Sequence, residues 1–313
     1  DVNITIDKNY MVAAGGDLLN ANEVGFGYEA KGVTVKPSTT NTLTWKWQAY
    51  NVHDFMWAAD PTYKMITRTT VGGPLIRVVY KAVDSLETRW QAMADTAALA
   101  YPIMAKTFGP YPYKTYTFVQ GGDGGMEYPM ATLLKNASVS TAIHEWMHSW
   151  YQMMMGSNES LYPWMDEGFT DYATSRIEGT LRNSPGFWYK GAYDGYFASA
   201  RSGYEEPAST HADHYNTNYA STRAAYSKGA VFMAQLGYIV SDSVRDKILL
   251  AYYYAWHFKH PNPNDFIRIA EKQSGMELDW YKEYWINSTK TIDYGVGDIG
   301  IVDGSTAITI RRI

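Results

Sequence analysis

The stretch His144-Glu145-Trp146-Met147-His148, followed by Glu167 within Trp164-Met165-Asp166-Glu167-Gly168-Phe169, decides how this chain is read. On a helix, residues 144 and 148 lie one above the other on a single face, so two imidazoles can converge on one ion without bending the backbone. Glu145 sits roughly 100° further round and can reach a metal-held water without ligating the metal. A catalytic zinc keeps three protein ligands and one open position, and His-His-Glu is a recognised set. Residues 149–166 separate His148 from Glu167 and divide sensibly. Ser149 to Met155 completes the first helix, Gly156 ends it, Pro163 opens the next, and Trp164 to about Glu178 runs back antiparallel. That return predicts Glu167 opposite the two histidines as the third zinc ligand, which points to metallopeptidase chemistry.

The composition around this motif is that of a core-forming globular chain, with 46% hydrophobic and 19% charged residues and a net charge of −5. Mild acidity without a basic, aromatic-interleaved patch excludes nucleic acid as an expected partner. No apolar run approaches the ~18 residues that would span a bilayer as a helix. With no cysteine there is neither a disulfide nor a thiolate ligand, and the compartment stays open to cytoplasm, periplasm or secretion. The chain opens on Val2-Asn3-Ile4-Thr5-Ile6, already strand-like, with no secretory signal. The start is therefore expected to be processed or truncated, which tilts toward an exported bacterial protein.

The pattern along the chain gives an α+β class in three zones. Residues 1–75 are strand-rich, as in Thr42-Leu43-Thr44-Trp45-Lys46-Trp47. Residues 76–290 are mainly helical; Val83, Leu86, Trp90, Met93 and Ala97 recur at helical spacing toward Phe108-Gly109-Pro110. Within this zone Ile76 to Tyr80 and Tyr116 to Val119 read as strands, the second leading into Gly121-Gly122-Asp123-Gly124-Gly125-Met126-Glu127-Tyr128. Ala225 to Val240, Asp265 to Ser274 and Leu278 to Asn287 read as helices. Residues 291–313 return to β character, with Ala307-Ile308-Thr309-Ile310 alternating. Other candidate groups are weaker. His211-Ala212-Asp213-His214 reads as a solvated loop, His257 and His260 as helix-end residues, His53 as part of a strand, and Met153-Met154-Met155 as core filler. Asp166 is a candidate to hydrogen-bond a ligand histidine.

Three segments together resemble the gluzincin zinc aminopeptidases typified by aminopeptidase N and leukotriene hydrolase. Gly124-Gly125-Met126-Glu127 resembles that family's Gly-x-Met-Glu-Asn motif, and His144 to His148 with Glu167 its zinc signature. Tyr226-Ser227-Lys228-Gly229-Ala230 is similar to its Tyr-x-Lys-Gly-Ala segment. The likeness covers roughly residues 76–290 and departs from the family at Tyr128, where Asn is usual, so contacts beside the scissile bond are expected to differ. The resemblance implies a thermolysin-like catalytic domain at 76–290, preceded at 1–75 by strands from an N-terminal β-sandwich, of which Asn51-Val52-His53-Asp54-Phe55 would be the last. Residues 291–313 would begin a following β-segment, and the flanking domains of a longer protein would be missing. It also implies one Zn²⁺ on His144, His148 and Glu167, Glu145 as general base, and Tyr226 as donor to the oxyanion. Glu127, with Gly124, Gly125 and Met126, would receive a peptide substrate with a free N-terminus. A thermolysin-like endopeptidase would share the zinc frame without needing Glu127, and an inert peptide-binding fragment is the third alternative.

Overall fold

The computed structural model describes residues 1–184, 188–291 and 294–312. The N-terminal zone comprises β1 (Val2–Asp7), β2 (Met11–Ala14), β3 (Asp17–Leu18), the single-turn α1 (Ala21–Val24), β4 (Thr42–Gln48) and β5 (Trp57–Asp60). β1 and β3 flank β4 in one antiparallel sheet, and β2 pairs with β5. Next come β6 (Tyr63–Thr69), β7 (Leu75–Lys81), α2 (Asp84–Phe108), β8 (Thr115–Gln120), β9 (Gly125–Tyr128) and β10 (Ala131–Leu134). Their five strands run in the order β6-β7-β8-β10-β9, which leaves β9 at an edge.

Successive strand residues face opposite sides of a sheet, and here both sides are covered. Val78, Tyr80, Tyr116 and Phe118 enter one core with the helices. Val79, Val119 and Ala131 enter a second core with β2, Trp45 and Trp47. α2 buries Trp90, Met93, Ala97, Tyr101, Met104 and Phe108, a stripe at three- and four-residue spacing. It stops at Gly109, whose φ of +105° suits glycine and whose missing Cβ admits the Tyr253 ring.

The remaining helices are α3 (Val139–Met147), α4 (Phe169–Leu181), α5 (Lys190–Ser202), α6 (Asn218–Thr222), α7 (Gly229–Val240), α8 (Asp242–Trp256), α9 (Pro263–Ser274) and α10 (Asp279–Trp285). Ser138 caps α3 by accepting the Thr141 N–H at 3.2 Å. A hairpin of β11 (Tyr294–Val302) and β12 (Ser305–Arg312) closes the chain. Among the described residues, no helix is long and apolar enough to cross a membrane.

The structure departs from expectation at two places. Asn51 to Phe55, expected as a strand containing His53, forms no strand. Asn51 adopts φ +52°, and the Asp54 carboxylate accepts the Phe55 N–H at 2.6 Å, the local bonding by which short polar side chains compete with sheet pairing. β6 pairs along its whole length with β7, so the strands on either side of residue 75 share one sheet. Finally, the helix beyond His148 is not regular. It widens so that the Met153 N–H reaches the His148 carbonyl at 2.9 Å, and Tyr151 leaves helical conformation at φ −115°, ψ 89°.

Candidate metal centre

α3 presents His144 and His148 one turn apart, and the return into α4 places Glu167 between them. The Nε2 atoms of His144 and His148 lie 3.1 Å apart. Glu167 Oε2 is 3.2 Å from the first and 3.3 Å from the second. A tetrahedral zinc with bonds of about 2.0–2.1 Å holds neighbouring ligand atoms about 3.3 Å apart. The three atoms therefore already stand at the spacing of one tetrahedral face.

What lies behind the rings decides which nitrogen is free. His148 Nδ1 is 2.8 Å from the Tyr151 carbonyl and 2.8 Å from Asp166 Oδ1, so Nδ1 donates outward and Nε2 is the nitrogen aimed into the site. The irregular backbone at Tyr151 thus serves the site by bringing that carbonyl, which also accepts from Thr170 Oγ1 at 3.0 Å, back to the ring. Asp166, the sequence candidate for orienting a ligand histidine, does so. Asp171 Oδ1 stands 3.4 Å from His144 Nδ1, a partner that sequence reasoning missed. Its signal was available, since residue 171 follows Glu167 by one helical turn and shares its face.

Charge follows geometry. Burial disfavours a charged His144 ring, yet the hydrogen bonds to Asp171 and Glu167 outweigh it and hold its pKa at about 9. Burial likewise opposes ionisation of Glu167, but hydrogen bonds from both imidazoles keep its carboxyl far below the ordinary range. Glu145 behaves in the opposite way. Burial pushes its carboxyl up to about 7, against the pull of the two histidines. Its Oε2 is buried with no hydrogen-bond partner among the described residues.

The other expected residues gather at the same place. Glu127 on β9 brings a carboxylate oxygen within 4.8 Å of ligand atoms of both Glu145 and His148. Tyr226 donates its hydroxyl to Glu167 Oε1 at 2.5 Å and lies nearly parallel to the His144 ring, 6.0 Å away between centroids. Burial, then the Glu167 charge, raises that phenol well beyond its usual value. Met126 is partly exposed at the sheet edge, and Gly124 faces open space. Gly125 has a different role from an open backbone surface: a Cβ there would overlap Glu145 Oε1 and lie 2.7 Å from Thr141 Cγ2. Gly125→Ala is therefore expected to push the Glu145 carboxylate or β9 aside. Displacement of about 1 Å can cost on the order of 10²-fold in rate. Steady-state kinetics with metal analysis checks this; an unchanged kcat/KM at full metal content would count against it. His211 and His214, in contrast, stay in a polar surface turn, and among the described residues they join no group able to hold an ion.

Residues 110–285 match the Peptidase family M1 domain. The chain belongs to peptidase family M1. This M1 chain is 27% identical over 205 residues to human aminopeptidase B, across 58% of its own length and 29% of that protein's. Rat aminopeptidase B matches with the same figures. The chain thus spans under a third of the length of these curated relatives. Its fold is similar to the M1 zinc metallopeptidase of Deinococcus radiodurans, with a TM-score of 0.71 at 16% identity, covering 92% of this chain and 63% of that one. A structure of a variant of that enzyme bound to a Tyr-Ser-Ala substrate gives a TM-score of 0.68 at 16% identity, covering 91% and 62%.

Proposed function

We propose that this M1 chain is a zinc aminopeptidase that removes N-terminal residues from peptides, with one Zn²⁺ held by His144, His148 and Glu167. Supporting the metal assignment are the spacing of the three ligand atoms, the inward-facing Nε2 of His148 and the orphaned Glu145 oxygen. When bound, zinc supplies Lewis acidity at the scissile carbonyl and lowers the pKa of its water toward ~7. The chain's own groups do the rest. Glu145, poised near neutrality, accepts the proton of the attacking water and hands it to the departing amine. The Tyr226 hydroxyl, released from Glu167, donates to the oxyanion that develops at the carbonyl. Gly125 and Met126 belong to the edge strand along which a peptide backbone can lie, with Gly124 just before it and Glu127 beside them. We also propose that the catalytic unit begins at β6, near residue 63, and runs to about 290, with the preceding and following strands belonging to neighbouring units.

The observation that carries the aminopeptidase reading is the position of Glu127. Its carboxylate stands beside the metal ligands, where a substrate's α-ammonium would sit one residue from the bond to be cut. A hydrogen bond to a charged group is worth about 1.5–3 kcal/mol, or roughly 10- to 150-fold. Acetylating the amine of an aminoacyl-chromophore is expected to lower kcat/KM by that factor or more, and Glu127→Ala to erase the distinction. Equal rates on free and acetylated substrates would favour an endopeptidase. No chelator-sensitive hydrolysis of either would leave an inert peptide-binding module.

A further inference from the structure

The turn that carries Tyr226, residues Arg223–Lys228, is gripped from two sides by glycines. On one side Gly168 and Gly229 touch backbone to backbone. A Cβ on Gly168 would stand 2.5 Å from Gly229 Cα and 2.8 Å from the Ala225 carbonyl oxygen. A Cβ on Gly229 would stand 2.8 Å from Gly168 Cα and 2.9 Å from the Trp164 carbonyl oxygen. On the other side, Gly195 of α5 faces the same turn: a Cβ there would overlap Ser227 Oγ and reach 2.8 Å from an Arg223 guanidinium nitrogen.

None of these glycines is needed for an unusual backbone. Gly168 and Gly229 have ordinary helical angles, φ −69°, ψ −40° and φ −62°, ψ −42°, and Gly195 lies within α5. Glycine is a poor helix former compared with alanine, so three at helical positions call for another reason. Close approach is that reason, because small residues let helix backbones meet. The contact also sits at a telling place. Gly168 adjoins Glu167, and Gly229 follows Tyr226 by three residues, so the crossing distance sets how far the Tyr226 hydroxyl stands from the Glu167 carboxylate. The far end of the turn is anchored too: the buried Lys228 ammonium donates to Glu205 Oε1 at 2.6 Å and to the Ser288 carbonyl at 2.9 Å.

We propose that Gly168, Gly195 and Gly229 are positioning residues that hold Tyr226 at the metal site. The inference rests on the catalytic part assigned to Tyr226 above. In the zinc-loaded protein, Gly229→Ala is expected to lower kcat about 10²-fold, the usual scale for a displacement near 1 Å, with KM and zinc stoichiometry unchanged. In a Tyr226→Phe background the same change should cost less than about 3-fold, since the group it displaces is gone. Because Gly229→Ala could fail to fold, Gly195→Ala provides the milder probe: its obstacles are the Ser227 hydroxyl and the end of the flexible Arg223 side chain, so adding Ser227→Ala should restore the rate. A readout independent of turnover is the ¹⁹F resonance of 3-fluorotyrosine at position 226 in metal-free protein. It should shift in Gly195→Ala and return in the double variant. Losses that multiply in the Phe background, or a ¹⁹F signal indifferent to both glycines, would overturn the clamp. If Tyr226→Phe itself keeps full activity, the assigned role of the tyrosine fails, while the resonance still judges the clamp.

Discussion

Glu145→Gln is expected to retain stoichiometric zinc and lose about 10²- to 10⁴-fold in kcat/KM, the usual contribution of a positioned general base. The amide keeps the size of the carboxylate, so the packing against Gly125 and Thr141 survives. What it loses is the ability to accept a proton from an oxygen nucleophile. The carboxyl is suited to that role because burial raises it to about 7, near the pH at which it must both take and return a proton. The same shift has a cost in stability. A carboxyl whose folded pKa lies above its unfolded value contributes stability present at low pH and lost as pH rises through about 7. Metal-free Glu145→Gln should therefore melt at or above the parent's temperature at pH 8. Near-parental hydrolysis by a zinc-replete Gln variant would remove Glu145 from the mechanism.

The second large effect concerns the metal. His148→Ala removes one of three ligands and leaves Asp166 buried without its imidazole, so zinc binding and activity should both be lost. Proton linkage gives a finer test of the intact site. Glu167 is ionised throughout the neutral range, but His144, held at about 9, carries a proton at pH 7 that zinc must displace. Zinc uptake at pH 7 is thus expected to release at least one proton per ion, and apparent affinity to climb as pH rises toward 9. The metal-free fold responds in the opposite sense. Stability from charged His144 is complete below the unfolded imidazole pKa and fades as pH rises through about 9. The gain in melting temperature on adding zinc should therefore widen between pH 6.5 and 9. Calorimetry in buffers of different ionisation heat measures the protons directly; zero release would mean the histidines are already neutral.

Much of this site was legible in the sequence because its logic is local. Four-residue spacing on a helix and a plausible helix-loop-helix return suffice to bring His144, His148 and Glu167 together. What escaped was set by tertiary demand. The widened turn at Tyr151 exists to aim a carbonyl at His148, and nothing in Ser149 to Met155 announces it, since those residues suit an ordinary helix. β9 and β10 escaped because each is four residues long, β9 beside a run of glycines and β10 close behind Pro129, so no alternation had room to show. β2, with four consecutive buried residues, is as apolar as a helix core and has no period to read. α5 went unrecognised for a related reason: two glycines and several small polar residues weaken the helical signal, and the purpose of Gly195 lies in the neighbouring turn that carries Tyr226. Asn51 to Phe55 erred the other way, its position in a family pattern outweighing side chains that prefer turns.

The double-faced sheet has a bearing on how this chain tolerates change. Val79, Val119 and Ala131 rest on the layer made by β2, Trp45 and Trp47, while the hairpin holding Glu127 hangs from β10. Gly15 presses so closely on the Pro129 carbonyl that a side chain there would overlap it. The first sixty residues thus form the floor beneath the anchor proposed for the substrate, and substitutions among them, distant from any reacting atom, are expected to register first as altered grip on the peptide's leading amine.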